Sequence, residues 1–420
     1  MKTVTAIVAV GIWHSAFGIG WAQYRVPGTG SMAFEGYASL FLDHFPSTDP
    51  SAVELRARVF GELAVQASEA LRLTASAYAD ALAADRGEPA YDAILRAHEV
   101  LATFSFSRAD FRLGLGQVVW GRLDELQPSD VVNPLDVSRF FFEGRSEARL
   151  PVTLVRGRMF FSEDAILEAI YVPIFRRGRF DQLDEPTSPF NLLAAQSAGQ
   201  GPADREIARR EPARTFENAQ GGLRFSDTVG RFDYSIGAYR GFRTFGVILL
   251  EPTEFVEVFP RFTMISADFE SVRGPWAFRG EAAFFSDSGL PAEASMEAER
   301  SWDAGFAVDR RAGDYRLSGS MLVHDDPLDT TATLIFGADR SFVRERYNTR
   351  TFGAINVTDG SAFVRNVTAW SLRDNLALEG SIGWFFGDSE TGPPDPRVAS
   401  NVFGRFADRD FFYLRLKAYF

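Results

Sequence analysis

Residues 409–420 read Arg-Asp-Phe-Phe-Tyr-Leu-Arg-Leu-Lys-Ala-Tyr-Phe, and the chain ends there on an aromatic side chain. In an extended chain, one face of this segment carries Phe412, Leu414, Leu416, Ala418 and Phe420. The other face carries Phe411, Tyr413, Arg415, Lys417 and Tyr419. A period of two indicates a β-strand, here with an apolar face and a face that contains charged groups.

The same alternation recurs through most of the chain. Between positions 53 and 63, one parity holds Val53, Leu55, Ala57, Val59, Gly61 and Leu63, and the other holds Glu54, Arg56, Arg58, Phe60 and Glu62. The segments are often about 10 to 14 residues long, roughly twice the length of a typical soluble strand. We therefore predict an all-β protein, an antiparallel transmembrane β-barrel with an apolar exterior and a polar lumen.

Eighteen segments have this pattern, and sixteen strands is the alternative. They are 31–44, 52–66, 69–82, 91–106, 109–120, 151–161, 164–175, 217–227, 231–243, 254–268, 273–286, 298–310, 313–324, 331–342, 346–357, 361–372, 375–386 and 409–420. A change of phase around His98-Glu99 predicts a β-bulge.

The connections alternate between tight and long. Tight polar turns are predicted at Ser162-Glu163, Val229-Gly230, Arg311-Ala312-Gly313 and Arg373-Asp374, and long connections at 121–150, 176–216, 287–297 and 387–408. Outer-membrane barrels have short periplasmic turns and longer external loops. The last strand then ends in the periplasm, and the four long connections lie outside the cell.

The first 22 residues resemble a secretory signal peptide. Met1-Lys2 is a short positive start, and an apolar run from Val4 to Trp21 precedes the small residues of Gly20-Trp21-Ala22. The alternative is an uncleaved membrane anchor, because the run is about long enough to span. We predict cleavage after Ala22, so that residues 23–420 form a single barrel domain.

Composition excludes several classes of function. The 420 residues include no cysteine, which rules out disulfides and thiolate metal sites, and the net charge of -12 argues against a nucleic-acid binder. Outside the first 22 residues the only histidines are His44, His98 and His324, and no Gly-x-Ser-x-Gly motif occurs. We therefore expect neither an enzyme nor a cofactor.

One stretch resembles a known family. Gly114-Leu-Gly-Gln117-Val-Val-Trp120-Gly121-Arg122-Leu-Asp124, followed by Asp130-Val-Val-Asn133-Pro134-Leu-Asp136, is similar to a pattern of outer-membrane barrels related to the alginate-export porin. Residues 167–175, 403–406 and 413–415 look closer to an uncharacterised family of predicted barrels. The similarity covers roughly 109–180 and 340–420. It implies an eighteen-stranded monomeric barrel with a passive transport role, and it leaves the substrate open.

Charged side chains on the polar faces are the candidate pore residues. They are Arg56, Arg58, Arg72, Arg112, Arg156, Arg158, Glu168, Arg279, Glu281 and Arg415. Arg122, Asp124, Asn133 and Asp136 of the following loop are the candidate constriction, with Asn133-Pro134 and Asp136 suited to a rigid turn. Opposed arginines and acids set a transverse field that selects among charged solutes. Such ladders can also simply neutralise one another and stiffen the barrel.

These features predict a bacterial outer-membrane channel for passive diffusion of small, anionic solutes. Its expected partners are outer-membrane lipid and lipopolysaccharide, small solutes, and the barrel-assembly machinery, which would meet the C-terminal strand ending in Phe420. One alternative is a structural or surface-binding barrel whose lumen is plugged by the 176–216 loop. Another is a transporter of a hydrophobic ligand, if Phe160, Phe285 and Phe385 form an inward apolar patch.

Overall fold

The computed structural model describes residues 22–25, 31–48, 51–85, 89–124, 126–136, 140–179, 208–250, 255–286, 300–327, 330–388 and 403–420. Residues 1–21 of the predicted signal peptide lie outside this set. So do 180–207 of the predicted 176–216 loop, all of the 287–297 loop, and most of the 387–408 loop. The described residues contain no helix with the length and apolar character needed to cross a membrane.

Eighteen antiparallel strands close into a barrel. In chain order, β1 to β18 are Ser31–Phe45, Ala52–Gln66, Leu71–Asp85, Pro89–Ser105, Ala109–Gly116, Val152–Phe160, Ile166–Val172, Gln220–Val229, Phe232–Phe242, Arg261–Arg273, Trp276–Phe285, Ser301–Ala312, Tyr315–Asp325, Thr330–Phe342, Tyr347–Asn356, Ala362–Arg373, Leu376–Phe386 and Phe411–Tyr419. Each strand pairs with the next, and β18 pairs with β1, where Leu416 lies opposite Leu40. The predicted barrel and its eighteen strands are confirmed.

The connections divide by end, as the sequence predicts. Every connection that follows an even-numbered strand up to β16 is short, and the four predicted tight turns all lie at that end. The long connections 117–151, 173–219, 243–260, 286–300 and 387–410 all lie at the other end. The predicted bulge is also present, since the pairing of β3 with β4 passes from Ser76–Glu99 to Ala77–Ala97 and skips His98.

The outer surface is apolar. Leu55, Leu42 and Leu414 are neighbours across β2, β1 and β18, and each side chain is 44 to 50% exposed. Side chains of the opposite parity face the lumen, as Arg58 and Asp80 do. An exposed apolar band around a charged interior indicates that lipid surrounds this barrel.

Two predicted strands need correction. The segment 109–120 leaves the wall after Gly116, where the chain enters the connection 117–151. The segment 254–268 is interrupted at Pro260, which has no N–H for a sheet ladder, and β10 begins only at Arg261. The residues before the break, Phe255–Val258, instead join the short strands Val247–Leu250 and Ala208–Arg210 in a separate three-stranded sheet.

Candidate functional site

The connection 117–151, hereafter the inward loop, enters the barrel at a neck closed by Asn133. The side chain of Asn133 accepts a hydrogen bond from the backbone N–H of Val118 at 2.7 Å. Its amide donates to the carbonyl oxygens of Leu150 at 2.7 Å and Gly116 at 3.3 Å. These bonds take the place of a neighbouring strand, which explains why β5 ends at Gly116.

From the neck, the first part of the inward loop lies against the inner wall. The Trp120 indole is fully buried and donates to the Glu168 carboxylate on β7 at 2.7 Å. The Arg122 guanidinium meets Asp268 on β10 at 2.6 Å and Glu270 at 3.2 Å. These contacts follow the wall across four strands, from β7 to β10. The prediction that the connection 121–150 lies outside the cell is therefore wrong for this segment, because the charges of the inner wall hold it inside the barrel.

Glu281 on β11 is the most heavily bonded wall residue of this contact. One carboxylate oxygen accepts from the Ser129 N–H and hydroxyl, both at 2.7 Å. The other accepts from the N–H groups of Arg122 at 2.8 Å and Leu123 at 3.2 Å. Gly121 has φ +93°, and a Cβ at this position would lie 2.5 Å from the same carboxylate. Glycine is therefore required for this close approach.

Asp124 ties the end of this segment to β11. Its carboxylate receives bonds from both terminal nitrogens of Arg279, at 2.6 and 2.9 Å. Burial by itself raises the pKa of Asp124, but the hydrogen bond from Arg279 and the charges of Arg279, Arg316 and Arg350 outweigh it. The pKa of Asp124 therefore lies below its ordinary value, and the carboxylate is charged at neutral pH.

The second part of the inward loop reaches the opposite wall. It contains the helix α1, Phe140–Ala148, and the Phe142 ring packs on Phe411 of β18 with ring centroids 4.8 Å apart. The Phe142 carbonyl accepts a bond from Arg365 on β16 at 2.7 Å. Since β16 and β18 lie across the barrel from β7 to β11, the inward loop spans the lumen.

Ion pairs within the inward loop and at its exit make it one unit. Asp130 accepts bonds from Arg145 and Arg149, so the segment near the wall is joined to α1. Asp136 lies 3.5 Å from both Arg96 of β4 and Arg179 of the next loop. All four predicted constriction residues, Arg122, Asp124, Asn133 and Asp136, thus fix the inward loop in place.

Most of the predicted pore arginines are neutralised by carboxylates. Arg58 meets Asp80, Arg156 meets Glu168, Arg158 meets Asp110, Arg279 meets Asp124 and Asp309, and Arg415 meets Glu379. Glu168 and Glu281 are likewise occupied, by Arg156 and Trp120 and by the inward loop. A ladder of arginines and acids that neutralise one another, predicted as the alternative to a charge-selective pore, therefore makes up a large part of the observed lumen.

Three predicted arginines make no ion pair with any described residue: Arg56, Arg72 and Arg112. Arg112 is half-buried, its Nε atom has no hydrogen-bond partner among the described residues, and it lies directly opposite Arg156 across β5 and β6. Arg72 is exposed beside the short connection between β2 and β3. Arg56 is half-buried as well, and its Nε atom has no hydrogen-bond partner among the described residues. Arg112 and Arg56 are thus both candidates for contact with a charged solute, and Arg112 is the one in the strand that leads into the inward loop.

The sequence did not point to several residues that shape this site. Asp268 could have been selected, because its parity in β10 places it in the lumen. Asp130, Arg149 and Phe142 lie in a connection without periodicity, so no local signal marks them. The described residues contain no cluster of His, Asp and Glu side chains that could hold a metal ion.

The predicted apolar patch is divided. Phe285 belongs to one buried cluster with Trp120 and Tyr239, and Phe385 to another with Phe411. Phe160 belongs to neither cluster and lies beneath the Arg158 guanidinium at 5.5 Å. These three rings therefore do not form one continuous surface.

Comparison with known proteins identifies the fold. OccAB3 of Acinetobacter baumannii shares 9% identity at a TM-score of 0.53, over 93% of this chain and 99% of that one. OccAB2 of the same organism shares 10% sequence identity at a TM-score of 0.51, and the match covers 93% of this chain and 98% of OccAB2. OccK5 (OpdH) of Pseudomonas aeruginosa shares 11% sequence identity at a TM-score of 0.50, and the match covers 93% of this chain and 96% of OccK5. No family model matches the chain, and no curated protein matches it in sequence. The chain has the fold of these bacterial outer-membrane proteins.

Proposed function

We propose that this chain is an outer-membrane channel through which small solutes diffuse passively. The observation that carries the proposal is the inward loop, which is bonded to the inner wall through Glu281, Asp268 and Arg279 and divides the lumen of a wide barrel. A barrel of this strand number encloses an aqueous passage unless something fills it. A fixed loop inside it acts as a constriction with a charged border.

We further propose that the constriction prefers anions, and that Arg112 is the residue responsible. Arg156 and Arg158 are less suitable than the sequence suggests, because Glu168 and Asp110 neutralise them. Arg112 makes no ion pair with a described residue, and its charge lies among those of Arg156, Arg158, Asp110 and Glu99. A guanidinium of this kind can bind a carboxylate or phosphate oxygen of a passing solute.

Planar-bilayer recording of the refolded mature protein tests both proposals. Discrete conductance steps, with a reversal potential under a salt gradient that indicates anion preference, are the expected result. A unit charge acts on an ion about 7 Å away in water with roughly 0.6 kcal/mol, attracting an anion and repelling a cation. The variant Arg112→Ala should therefore lower the anion-to-cation permeability ratio by roughly sevenfold, because the two effects multiply. The matched control is Arg231→Ala at an exposed periplasmic turn, which should leave the ratio unchanged. An unchanged ratio in Arg112→Ala would remove Arg112 from the ion path.

A second candidate function is a plugged barrel with a structural or surface-binding role. It is favoured by the contacts of the inward loop with both sides of the lumen, through Trp120 on one side and Phe142 on the other. The same recording separates the two, because a correctly folded but silent barrel would support the plug. Transport of a hydrophobic ligand is less well supported, since Phe160, Phe285 and Phe385 do not form one surface.

Kinship with the alginate-export porins is also a proposal. Its support is that Gln117, Trp120, Asn133 and Asp136 of the shared pattern all bond within or around the inward loop; Gln117, for example, donates to the Arg149 carbonyl at 2.7 Å. From the same resemblance we propose a monomeric state. From the C-terminal strand that ends in Phe420 we propose insertion by the barrel-assembly machinery. Gel filtration of the refolded barrel tests the first.

A further inference from the structure

The outward face of β9 to β12 shows where the apolar band ends on the side of the long loops. Ala238, Ile265, Phe284 and Trp302 are successive neighbours across these four strands. Ile265 is 62% exposed, and Phe284 and Trp302 are about 40% exposed. Large apolar side chains at this exposure require lipid around them. This row is therefore the last apolar row before the external edge.

The next row towards the long loops is polar. Arg240 lies opposite Thr263 and donates to its hydroxyl at 3.2 Å. The N–H of Thr263 donates to the Ser286 hydroxyl at 2.9 Å. A change from apolar to hydrogen-bonding side chains between one outward row and the next, two residues along each strand, marks the level of the lipid headgroups. Arg240 is thus an exposed cation on the outer surface at that level.

A second arginine is held beside it. Arg261 begins β10, opposite Phe242, and its guanidinium lies 4.8 Å from the centre of the Phe242 ring. It also donates to the carbonyl oxygens of Glu217 at 2.6 Å and Ala219 at 3.1 Å. These contacts fix the direction of the guanidinium, so little conformational entropy is lost when a ligand binds to it.

Neither arginine of this outer pair, Arg240 and Arg261, makes an ion pair with a described residue. Two guanidiniums in adjacent strands repel each other, and each retains N–H donors suited to phosphate oxygens. We propose that the outer pair binds a phosphorylated lipid headgroup of the outer leaflet, with the acyl chains against the row that contains Ile265 and Phe284. The inference rests on the outer-membrane location and is independent of whether the channel is open.

The opposite rim provides a matched control pair. Arg310 and Arg340 also lie on outward faces, but each packs on aromatic rings without a second arginine beside it in the neighbouring strand. Arg310 lies 4.8 Å from the Trp276 ring, and Arg340 lies 4.8 Å from the Tyr315 ring and donates to its hydroxyl at 3.0 Å. They are two strands apart, so they cannot share one headgroup in the way proposed for the outer pair.

The test is a titration of the refolded full-length mature barrel in detergent micelles with bisphosphorylated lipid A, with bound lipid counted by native mass spectrometry. The double variant Arg240→Gln/Arg261→Gln should bind about tenfold more weakly, because charge-assisted hydrogen bonds to phosphate are lost. The double variant Arg310→Gln/Arg340→Gln should bind as the wild type does. An equal loss in both double variants, or no loss in the first, would overturn the assignment.

Wild-type protein gives a second measurement that does not depend on a variant folding. Dephosphorylated lipid A should bind about tenfold more weakly than the bisphosphorylated form, and a large excess of inorganic phosphate should not displace the lipid. Equal binding of both lipid forms would show that acyl packing alone drives association, against the proposal. Full displacement by inorganic phosphate would show an ion site rather than a headgroup site.

Discussion

Replacing Glu281 with glutamine is the most direct test of the fixed inward loop. The wild-type carboxylate accepts four hydrogen bonds, two on each oxygen, from Arg122, Leu123 and Ser129. Glutamine has nearly the same shape but has one acceptor oxygen and one N–H₂ group. Each oxygen of the carboxylate accepts from at least one backbone N–H group. In either orientation of the amide, its N–H₂ group therefore faces a backbone N–H group, and two donors cannot form a hydrogen bond.

The expected cost follows from those bonds. A buried donor left without an acceptor costs about 1–3 kcal/mol, and bonds to a charged acceptor are stronger than bonds to a neutral one. The Glu281 side chain is only 4% exposed, so water does not readily replace it. We expect attachment of the inward loop to weaken by about 2 kcal/mol, which is roughly a thirtyfold change in the equilibrium between attached and released loop.

Hydrogen exchange measured by mass spectrometry reads this equilibrium directly. Peptides that contain the N–H groups of Arg122, Leu123 and Ser129 should exchange roughly thirtyfold faster in Glu281→Gln. If the channel conducts, transitions to a larger conductance should become more frequent. The control is Glu270→Gln on β10. This variant also removes one negative charge from the lumen wall, but it removes a single contact of 3.2 Å with Arg122 instead of four hydrogen bonds. Wild-type exchange in Glu281→Gln, or equal acceleration in the control, would refute the attachment role.

Two further predictions concern the same contact. Gly121→Ala should lower the free energy of unfolding in urea by about 1–3 kcal/mol more than Gly144→Ala does. Gly144 is the control because it also has a positive φ but has no atom within 4 Å of an added Cβ. Equal losses of stability in the two variants would contradict this prediction. Asp124→Asn should cost about 1 kcal/mol or less at neutral pH, since the Asp124 side chain is 44% exposed and solvent screens its pairing with Arg279. Because the pKa of Asp124 lies below 3.8, this stability is present above that value and is lost as pH falls through the lowered pKa. The difference between wild type and variant should therefore persist at about pH 5, and its loss there would refute the depressed pKa.

Much of the barrel could be predicted because each strand carries its own evidence. The alternation around Leu414 and Arg415, the phase change at His98 and the placement of tight turns each depend on residues close together in the chain. The candidate constriction residues Arg122, Asp124, Asn133 and Asp136 all belong to the inward loop. One of the two corrected strands, 254–268, contains Pro260, whose missing N–H interrupts the sheet ladder at that point.

The charge state of the lumen could not be predicted in the same way. Parity places Arg156 and Arg112 in the lumen equally well, yet Arg156 is neutralised by Glu168 and Arg112 is not paired within the described residues. The difference depends on strand register and on the path of the inward loop. Neither of these is encoded in the neighbours of a single arginine along the chain.

The sequence by itself determined the all-β barrel, the alternation of tight and long connections and which residues of a strand share a face, and it left eighteen and sixteen strands as alternatives. The period of two and the apolar exterior that lipid requires are local properties of the chain. Only the tertiary structure decided that Glu281 holds the inward loop and that Arg279 meets Asp124, because these partners lie about 150 residues apart in sequence. Barrel closure brings them together, and their mutual neutralisation determines which charges remain for a solute.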